Sequence, residues 1–339
     1  MTRGLSGRQD RLDRRGLGDR KGDATMYTGW MRAFKVDREM DPRERYATLP
    51  RSHVGRSRQR LCVIRLNSTY LDMIDRRFRL RGMVLTTTVL LINAGLAAWG
   101  LRRWSTRVPE VLGGPSGDAP AYVLFALLLL VQFALLYWLI LRRDFFTYKY
   151  YPIRFNRRTR MVHAYTDGGP DAVISVPWEE AHFHVGEGKG ERYLRDIRCH
   201  VLDGEIIRHT FAVGHYFDDE DKIREVWEFI RRYMDEGPAS VLDAPAKPQV
   251  DLSVADTWKN CHATVVISLG QALLPLRGLL MLVLLPLVAC RWLVLKSSRQ
   301  PVWPQQILDE SVIDAEDPHR WPEPQYIGQF DEKADGRTS

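Results

Sequence analysis

The chain has 339 residues, of which 45 % are hydrophobic and 27 % are charged, and its formal net charge is +7. Arginines crowd the ends of long apolar runs, a pattern that favours an anionic membrane surface over nucleic acid as the reason for the basic charge. Cysteines occur only at positions 62, 199, 261 and 290. They are widely scattered and one lies inside an apolar run, so the sequence shows neither a disulfide framework nor a CxxC metal signature and predicts reduced thiols.

Residues 1–60 form a basic, polar N-terminal region with little to bury, and we expect it to be disordered or loosely structured. Residues 61–81 are predicted as a juxtamembrane segment. Leu61–Leu66 suits a short strand that joins a later sheet. After it, Asn67 or Ser68 can cap a helix whose apolar residues follow a helical spacing and which ends in an arginine cluster at Arg81.

Two apolar runs, Met83–Leu101 and Tyr122–Leu141, predict a transmembrane hairpin over residues 82–142. Each run contains no charged residue and has the roughly 20 apolar residues that a bilayer core about 30 Å thick requires. Arginines are more numerous on the two outer flanks than in the short connection. The positive-inside rule therefore predicts a multi-pass membrane protein with the N-terminus and the following domain in the cytoplasm.

The sequence of residues 145–237 predicts a compact domain of six or seven short strands followed by one helix. The predicted strands are Tyr148–Phe155, Met161–Tyr165, Val173–Val176, Ala181–Val185, Ile197–Leu202 and Glu205–Val213. Apolar residues between Ile223 and Tyr233 then follow a helical period, and Gly237 ends the helix. The fold class is therefore α+β, with a small antiparallel β-roll capped by a C-terminal helix.

A linker and helix start at residues 238–262 lead to a third apolar segment, 263–296, which Pro275 and Pro286 interrupt. One alternative is an interfacial helix followed by a single span. The other, which we favour, is a re-entrant helical hairpin that returns the chain to the cytoplasm, because a single span places Arg277 and Arg291 at opposite ends. The Pro-rich, acidic tail 297–339 is expected to be mostly extended.

Val176-Pro177-Trp178-Glu179-Glu180, between strands and after a two-span anchor, resembles membrane-attached bacterial pleckstrin-homology-like proteins over Phe145–Met234. Three further stretches are similar to an uncharacterised proteobacterial membrane-protein family, some of whose members lie near type VI secretion loci. They are Tyr70-Leu71-Asp72, Ile153-Arg154-Phe155-Asn156-Arg157 and Pro301-Val302-Trp303-Pro304. This resemblance implies a shared architecture and supplies no catalytic residues.

The sequence favours a non-enzymatic scaffold, accessory or immunity-type protein without a cofactor, whose partners are the bilayer, anionic lipid headgroups and an unknown protein. Basic residues beside the predicted spans are the candidate lipid or partner contacts: Arg76, Arg77, Arg79, Arg154, Arg157, Arg158 and Arg160. The alternative is a membrane-bound metal-dependent hydrolase that uses His182 and His184. These histidines alternate on one predicted strand and so share a face, with His200 and His209 on neighbouring strands.

Overall fold

A computed structural model describes residues 34–52, 55–113, 119–187, 194–241, 250–269 and 273–328. Part of the predicted disordered region is regular there, with strand β1 (Arg38–Glu39) and helix α1 (Pro42–Tyr46). A capping box explains α1, because the Asp41 side chain accepts from the Arg43 amide and the Glu44 side chain accepts from the Asp41 amide. Residues 1–33 of the predicted disordered region lie outside the described residues.

The first sheet has five antiparallel strands in chain order: β2 (Val63–Leu66), β3 (Tyr70–Met73), β4 (Ile153–Asn156), β5 (Met161–Thr166) and β6 (Gly169–Pro177). The strand predicted at Leu61–Leu66 is confirmed and joins this sheet. The helix predicted after it is wrong. The Asn67 side chain accepts from the amides of Thr69 and Tyr70, and this local turn reverses the chain into β3.

The second sheet contains β7 (His182–Glu187), β8 (Arg195–Asp203) and β9 (Ile206–Phe217), in the order β1-β9-β8-β7. Helix α4 (Glu220–Asp235) follows, capped by Asp219. Its buried face and both sheets share one core, where the rings of Trp178 and Trp227 stack with centroids 5.6 Å apart. The α+β class, the six predicted strands and the closing helix are confirmed. All four cysteines are buried and free, as predicted.

Helices α2 (Val84–Gly113) and α3 (Ala119–Leu139) form the apolar hairpin. The segments Val84–Thr106, within α2, and Pro120–Arg143, which continues four residues past the end of α3, have the length and composition to cross a membrane, and the protein buries only 22 % and 0 % of their most apolar parts. The hairpin lies between β3 and β4, which pair with each other. The apolar hairpin therefore leaves and re-enters the same sheet at neighbouring strands. Residues 114–118 of its connection lie outside the described residues.

The third apolar segment contains helices α5 (Trp258–Ser268) and α6 (Met281–Ser297), which pack against each other. The Asp256 carboxylate precedes α5 and pairs with Lys149 at 3.1 Å and with Lys296, near the end of α6, at 3.3 Å. Both ends of this second hairpin therefore lie together beside the β domain. The chain therefore comes back near its starting point after α6, and entry of this segment into a membrane stays a prediction.

The tail is more ordered than predicted. It contains helix α7 (Gln305–Glu310), and Trp303 and Ile307 are buried against Tyr165 in the first sheet. Farther along, the Trp321 amide donates to the Leu66 carbonyl at 3.1 Å. Residues 298–328 thus cover the first sheet, because Trp303 and Trp321 of this polar tail pack against apolar side chains of the β domain. Residues 329–339 lie outside the described residues.

Candidate functional site

The seven arginines predicted as a contact surface do not form one surface. Arg154 is 2 % exposed and makes a bidentate pair with Asp72, at 2.7 and 2.8 Å, across the β3–β4 register. A buried arginine is not available to lipid or to a partner, so its inclusion was wrong. Sequence analysis assigned Asp72 to a helix and therefore did not predict that it lies opposite Arg154 in a sheet.

The other six arginines mostly link elements of the fold. Their contacts run from Arg76 to Asp196, from Arg77 to Asp167, from Arg79 to Ser268, from Arg157 to Thr69 through its amide, from Arg158 to the Glu310 carbonyl, and from Arg160 to Glu179 and Asp235. Among them Arg158 is exposed and the others are partly buried. Contact with lipid or a partner stays a prediction for these residues.

A second polar cluster joins the two hairpins. The buried Asp144 carboxylate, just after the α3 end of the apolar hairpin, accepts from the Gly82 amide at 3.0 Å and from Thr86 Oγ1 at 2.5 Å. Arg291 on α6 is 1 % exposed and donates to the carbonyls of Phe78 and Arg81 at 2.8 and 2.9 Å. Arg291 therefore points into the protein and satisfies carbonyl groups of the turn that leads into α2.

The most distinctive cluster is formed by Glu44, His184 and His200. One side-chain ligand atom from each residue lies within 4.8 Å of the others. The rings of His184 and His200 have centroids 4.2 Å apart, and His200 Nε2 lies 3.5 Å from Glu44 Oε1. Both histidines are only 1 % exposed. Strands β7 and β8 supply the histidines, and α1 supplies the carboxylate.

Backbone pairing brings α1 to this edge of the second sheet. The Leu49 amide donates to the Phe183 carbonyl at 2.9 Å, and the Val185 amide donates to the Ala47 carbonyl at 2.9 Å. Arg38 then fixes Glu44 by two hydrogen bonds of 2.8 and 2.5 Å. Sequence reasoning missed Glu44 because 140 positions separate it from His184 and 156 from His200.

The electrostatics of the cluster follow from its burial. Burial, together with the nearby His200, lowers the pKa of His184 to about 3, so its imidazole is neutral at pH 7. Burial alone raises the pKa of Glu44, but the nearby His200 ring and the hydrogen bonds from Arg38 outweigh it and hold that pKa well below its usual range. The cluster thus combines the neutral imidazole of His184 with the ionised carboxylate of Glu44.

The two remaining histidines stand outside the cluster. His182 and His184 share a face, as predicted, but His182 is partly exposed, and its Nε2 lies 3.4 Å from Thr48 Oγ1. His209 pairs with Val201, whereas Thr210 pairs with His200. His209 therefore points to the opposite face of the sheet from His200. The convergent set contains His184 of the predicted pair and His200, which the sequence placed on a neighbouring strand, but it does not contain His182.

The fold and these clusters define an α+β protein of two antiparallel sheets with two helices apolar enough to span a membrane, and with a buried carboxylate–histidine cluster. Residues 129–315, more than half of the chain, match the Family of unknown function (DUF6708), and the chain belongs to this family. Comparison with curated proteins gave no match, and neither did comparison with solved structures.

Proposed function

We propose that this chain is an integral protein of a bacterial inner membrane whose β-rich domain, on the cytoplasmic side, is a non-enzymatic scaffold for a protein partner. The observation that carries the proposal is the insertion of a protruding apolar hairpin between two paired strands of the soluble sheet. An anchor built into a sheet in this way holds the domain in a fixed orientation at the membrane surface.

The dimensions and surface of the apolar hairpin support the membrane part of the proposal. Its two candidate spans have 23 and 24 residues, which at 1.5 Å per residue exceed a hydrocarbon core of roughly 30 Å. Trp99 and Trp138 are 57 % and 58 % exposed near span ends, and the Arg142 guanidinium lies 4.6 Å from the Trp138 ring. Such aromatic and basic pairs are typical of membrane interfaces.

The second hairpin supports membrane contact as well. Large apolar side chains around the turn between α5 and α6 face outward, with exposed fractions from 43 % to 84 %: Leu273, Leu276, Leu279, Leu282 and Val283. Exposure of an apolar surface of this kind to water costs free energy, and contact with lipid removes that cost. We propose that this hairpin enters the membrane from the cytoplasmic side and returns the tail to the β domain.

The finer fold and role are part of the same proposal. Two antiparallel sheets around one core, closed by α4, support a pleckstrin-homology-like roll. Most basic residues beside the spans already bind carboxylates or carbonyls within the chain, which favours a protein partner over anionic headgroups. An accessory or immunity role beside a type VI secretion system rests on the family resemblance alone.

Cysteine labelling tests the topology directly, because the four native cysteines are buried. Ser105→Cys, near the outer end of α2, should react with a membrane-impermeant maleimide in intact cells. Glu205→Cys, in the exposed β8–β9 turn, and Glu316→Cys, in the tail, should react only after permeabilisation. Labelling of Glu205→Cys in intact cells would overturn the proposed orientation, and unequal labelling of Glu205→Cys and Glu316→Cys would overturn the returning tail.

Capture from solubilised membranes tests the scaffold role. Arg157→Glu with Arg158→Glu should lose a partner that the native chain retains, while the matched charge reversal Arg208→Glu, in the distal hairpin, should keep it. Thermal unfolding of all three proteins reports whether they are folded. If native chain and double variant capture the same proteins, these arginines are not the contact.

A metal-dependent hydrolase is the second candidate function, and the Glu44, His184 and His200 cluster favours it. Hydrolysis requires a metal with an open coordination position that substrate can reach. Because both histidines are 1 % exposed, the geometry favours the scaffold. Ester or phosphate hydrolysis that requires zinc and is lost in His184→Gln would reverse this order.

A further inference from the structure

We propose that Glu44, His184 and His200 bind one divalent transition-metal ion of the zinc class, and that this ion fastens the N-terminal segment 38–49 to the edge of the second sheet. The inference goes beyond the scaffold function and does not depend on it. It assigns a structural role to a cluster that the proposed function leaves unused.

The donor set matches this class of metal. Imidazole nitrogens with a carboxylate oxygen are ligands for zinc and its first-row neighbours. Bonds of about 2.0–2.2 Å in a tetrahedral site place ligand atoms about 3.3–3.6 Å apart. Glu44 Oε1 and His200 Nε2 are already 3.5 Å apart, and the whole set lies within 4.8 Å. A movement of His184 by about 1 Å would bring all three ligand atoms to this spacing, and a water molecule would fill the fourth tetrahedral position.

Unpartnered nitrogens are the second, independent observation. His184 Nδ1 and Nε2 and His200 Nε2 are buried and have no hydrogen-bond partner among the described residues. Buried polar atoms without a partner are costly and rare in native proteins. One ion ligated by both rings provides a partner for two of these three nitrogens.

The surrounding groups prepare the ligands. Thr210 Oγ1 lies 2.8 Å from His200 Nδ1. When that nitrogen donates to the hydroxyl, the Nε2 lone pair faces Glu44, as a metal ligand must. Glu44 Oε2 accepts from Arg38 and from the Asp41 amide, whereas Oε1 accepts only from Arg38 among these groups. Oε1 therefore keeps a lone pair for the ion, and Arg38 balances the carboxylate charge when the ion is absent.

The fold gives the ion a mechanical consequence. Segment 47–49 already pairs with β7 through two backbone hydrogen bonds. β7 is an edge strand of the second sheet among the described strands. A bond from α1 to β7 and β8 through one ion locks this segment over the edge. The ion acts as a cross-link between residues about 140 positions apart in the sequence.

The experiment uses the full chain in detergent, without a polyhistidine tag. A chelator first removes bound metal, zinc is then added back, and dialysis removes the unbound zinc. We expect one equivalent of zinc by elemental analysis and, at a free zinc concentration near 100 times Kd, a rise in Tm of about 5–10 °C. Cobalt in place of zinc should give the visible absorption bands of a tetrahedral N/O site. Absence of both stoichiometric zinc and the cobalt bands in the native chain overturns the proposal.

Variants separate ligation from folding. Glu44→Gln on the surface helix α1, and His184→Gln and His200→Gln on the strands, should each lower zinc affinity at least tenfold and abolish the Tm rise. His209→Gln, on the opposite face of the same sheet, is the matched control and should bind zinc normally. The Tm of each variant, measured in the presence of chelator, reports whether that variant folds without the ion. Unchanged zinc affinity in the folded Glu44→Gln variant overturns the assigned ligand set.

Discussion

Replacing Asp72 by asparagine should destabilise the protein more than any single surface substitution, because it leaves Arg154 charged and buried without its counter-ion. Both side chains are 2 % exposed, and two hydrogen bonds of 2.7 and 2.8 Å join them. The Arg154 guanidinium lies between the rings of Tyr70, 3.8 Å from its centroid, and Trp303, 5.0 Å away. Water therefore has little access to replace the lost carboxylate.

Removal of one partner from a buried ion pair costs about 3–5 kcal/mol. For a folded unit of this size, the cost corresponds to a fall in Tm of about 6–20 °C. Thermal unfolding of the full chain in detergent measures it. Asp203→Asn, which loses the exposed Asp203–Arg208 pair, is the control and should shift Tm by no more than about 2 °C. The combined change Asp72→Leu and Arg154→Leu should recover most of the loss, since it removes both charges. Equal shifts in Asp72→Asn and Asp203→Asn would refute the buried pair and, with it, the β3–β4 register.

Two further predictions concern backbone packing and acid stability. Gly82 has φ +68°, and a β-carbon there would lie 2.8 Å from the Arg291 Cα, so Gly82→Ala should lower the free energy of unfolding by about 1–3 kcal/mol. Gly95→Ala, where a β-carbon meets no atom within 4 Å, should leave Tm unchanged or raised; equal losses in the two variants would contradict the close approach. Burial lowers the pKa of His163 to about 4 and that of His215 to about 3. The unfolded chain, with imidazole pKa values near 6.5, takes up these protons first, so stability should fall from about pH 6.5 towards pH 4, by at most about 1.4 kcal/mol per pH unit for each histidine. Tm measured against pH should show this slope, and His163→Gln with His215→Gln should reduce it to the share contributed by His184, whose pKa burial also lowers; an unchanged slope would show that other groups control acid stability.

Local sequence patterns predicted the elements that local forces determine. Runs of apolar residues predicted β8 and β9, and the helical period between Ile223 and Tyr233 predicted α4. They failed at β3, where Tyr70, Leu71 and Met73 suit a helix face equally well. The choice there depends on pairing with β4, whose Arg154 is 82 positions away and binds Asp72. A single sequence does not display that pairing.

The candidate site shows the same limit. Alternation along one strand placed His182 and His184 on one face, as observed. The contribution of His200 depended on the β7–β8 register, which places it opposite His182 and beside His184. A prediction of Glu44 as a ligand required the path of the polar segment around α1, and that segment has no apolar periodicity from which its path follows. Even so, the capping signal at Asp41 and Glu44 was present in the sequence and predicts a helix start.

The position of the apolar hairpin between β3 and β4 sets an order of events during synthesis. β3 leaves the ribosome well before its partner, since 82 residues separate Asp72 from Arg154. At about 5–20 residues per second, that interval lasts about 4–16 s. With α2 and α3 in the membrane, as proposed, β3 waits with an unpaired edge and an uncompensated Asp72 until insertion is complete. Membrane insertion thus becomes an obligatory step in folding the soluble sheet, and a chain whose hairpin fails to insert should be left with an exposed strand that quality-control proteases recognise.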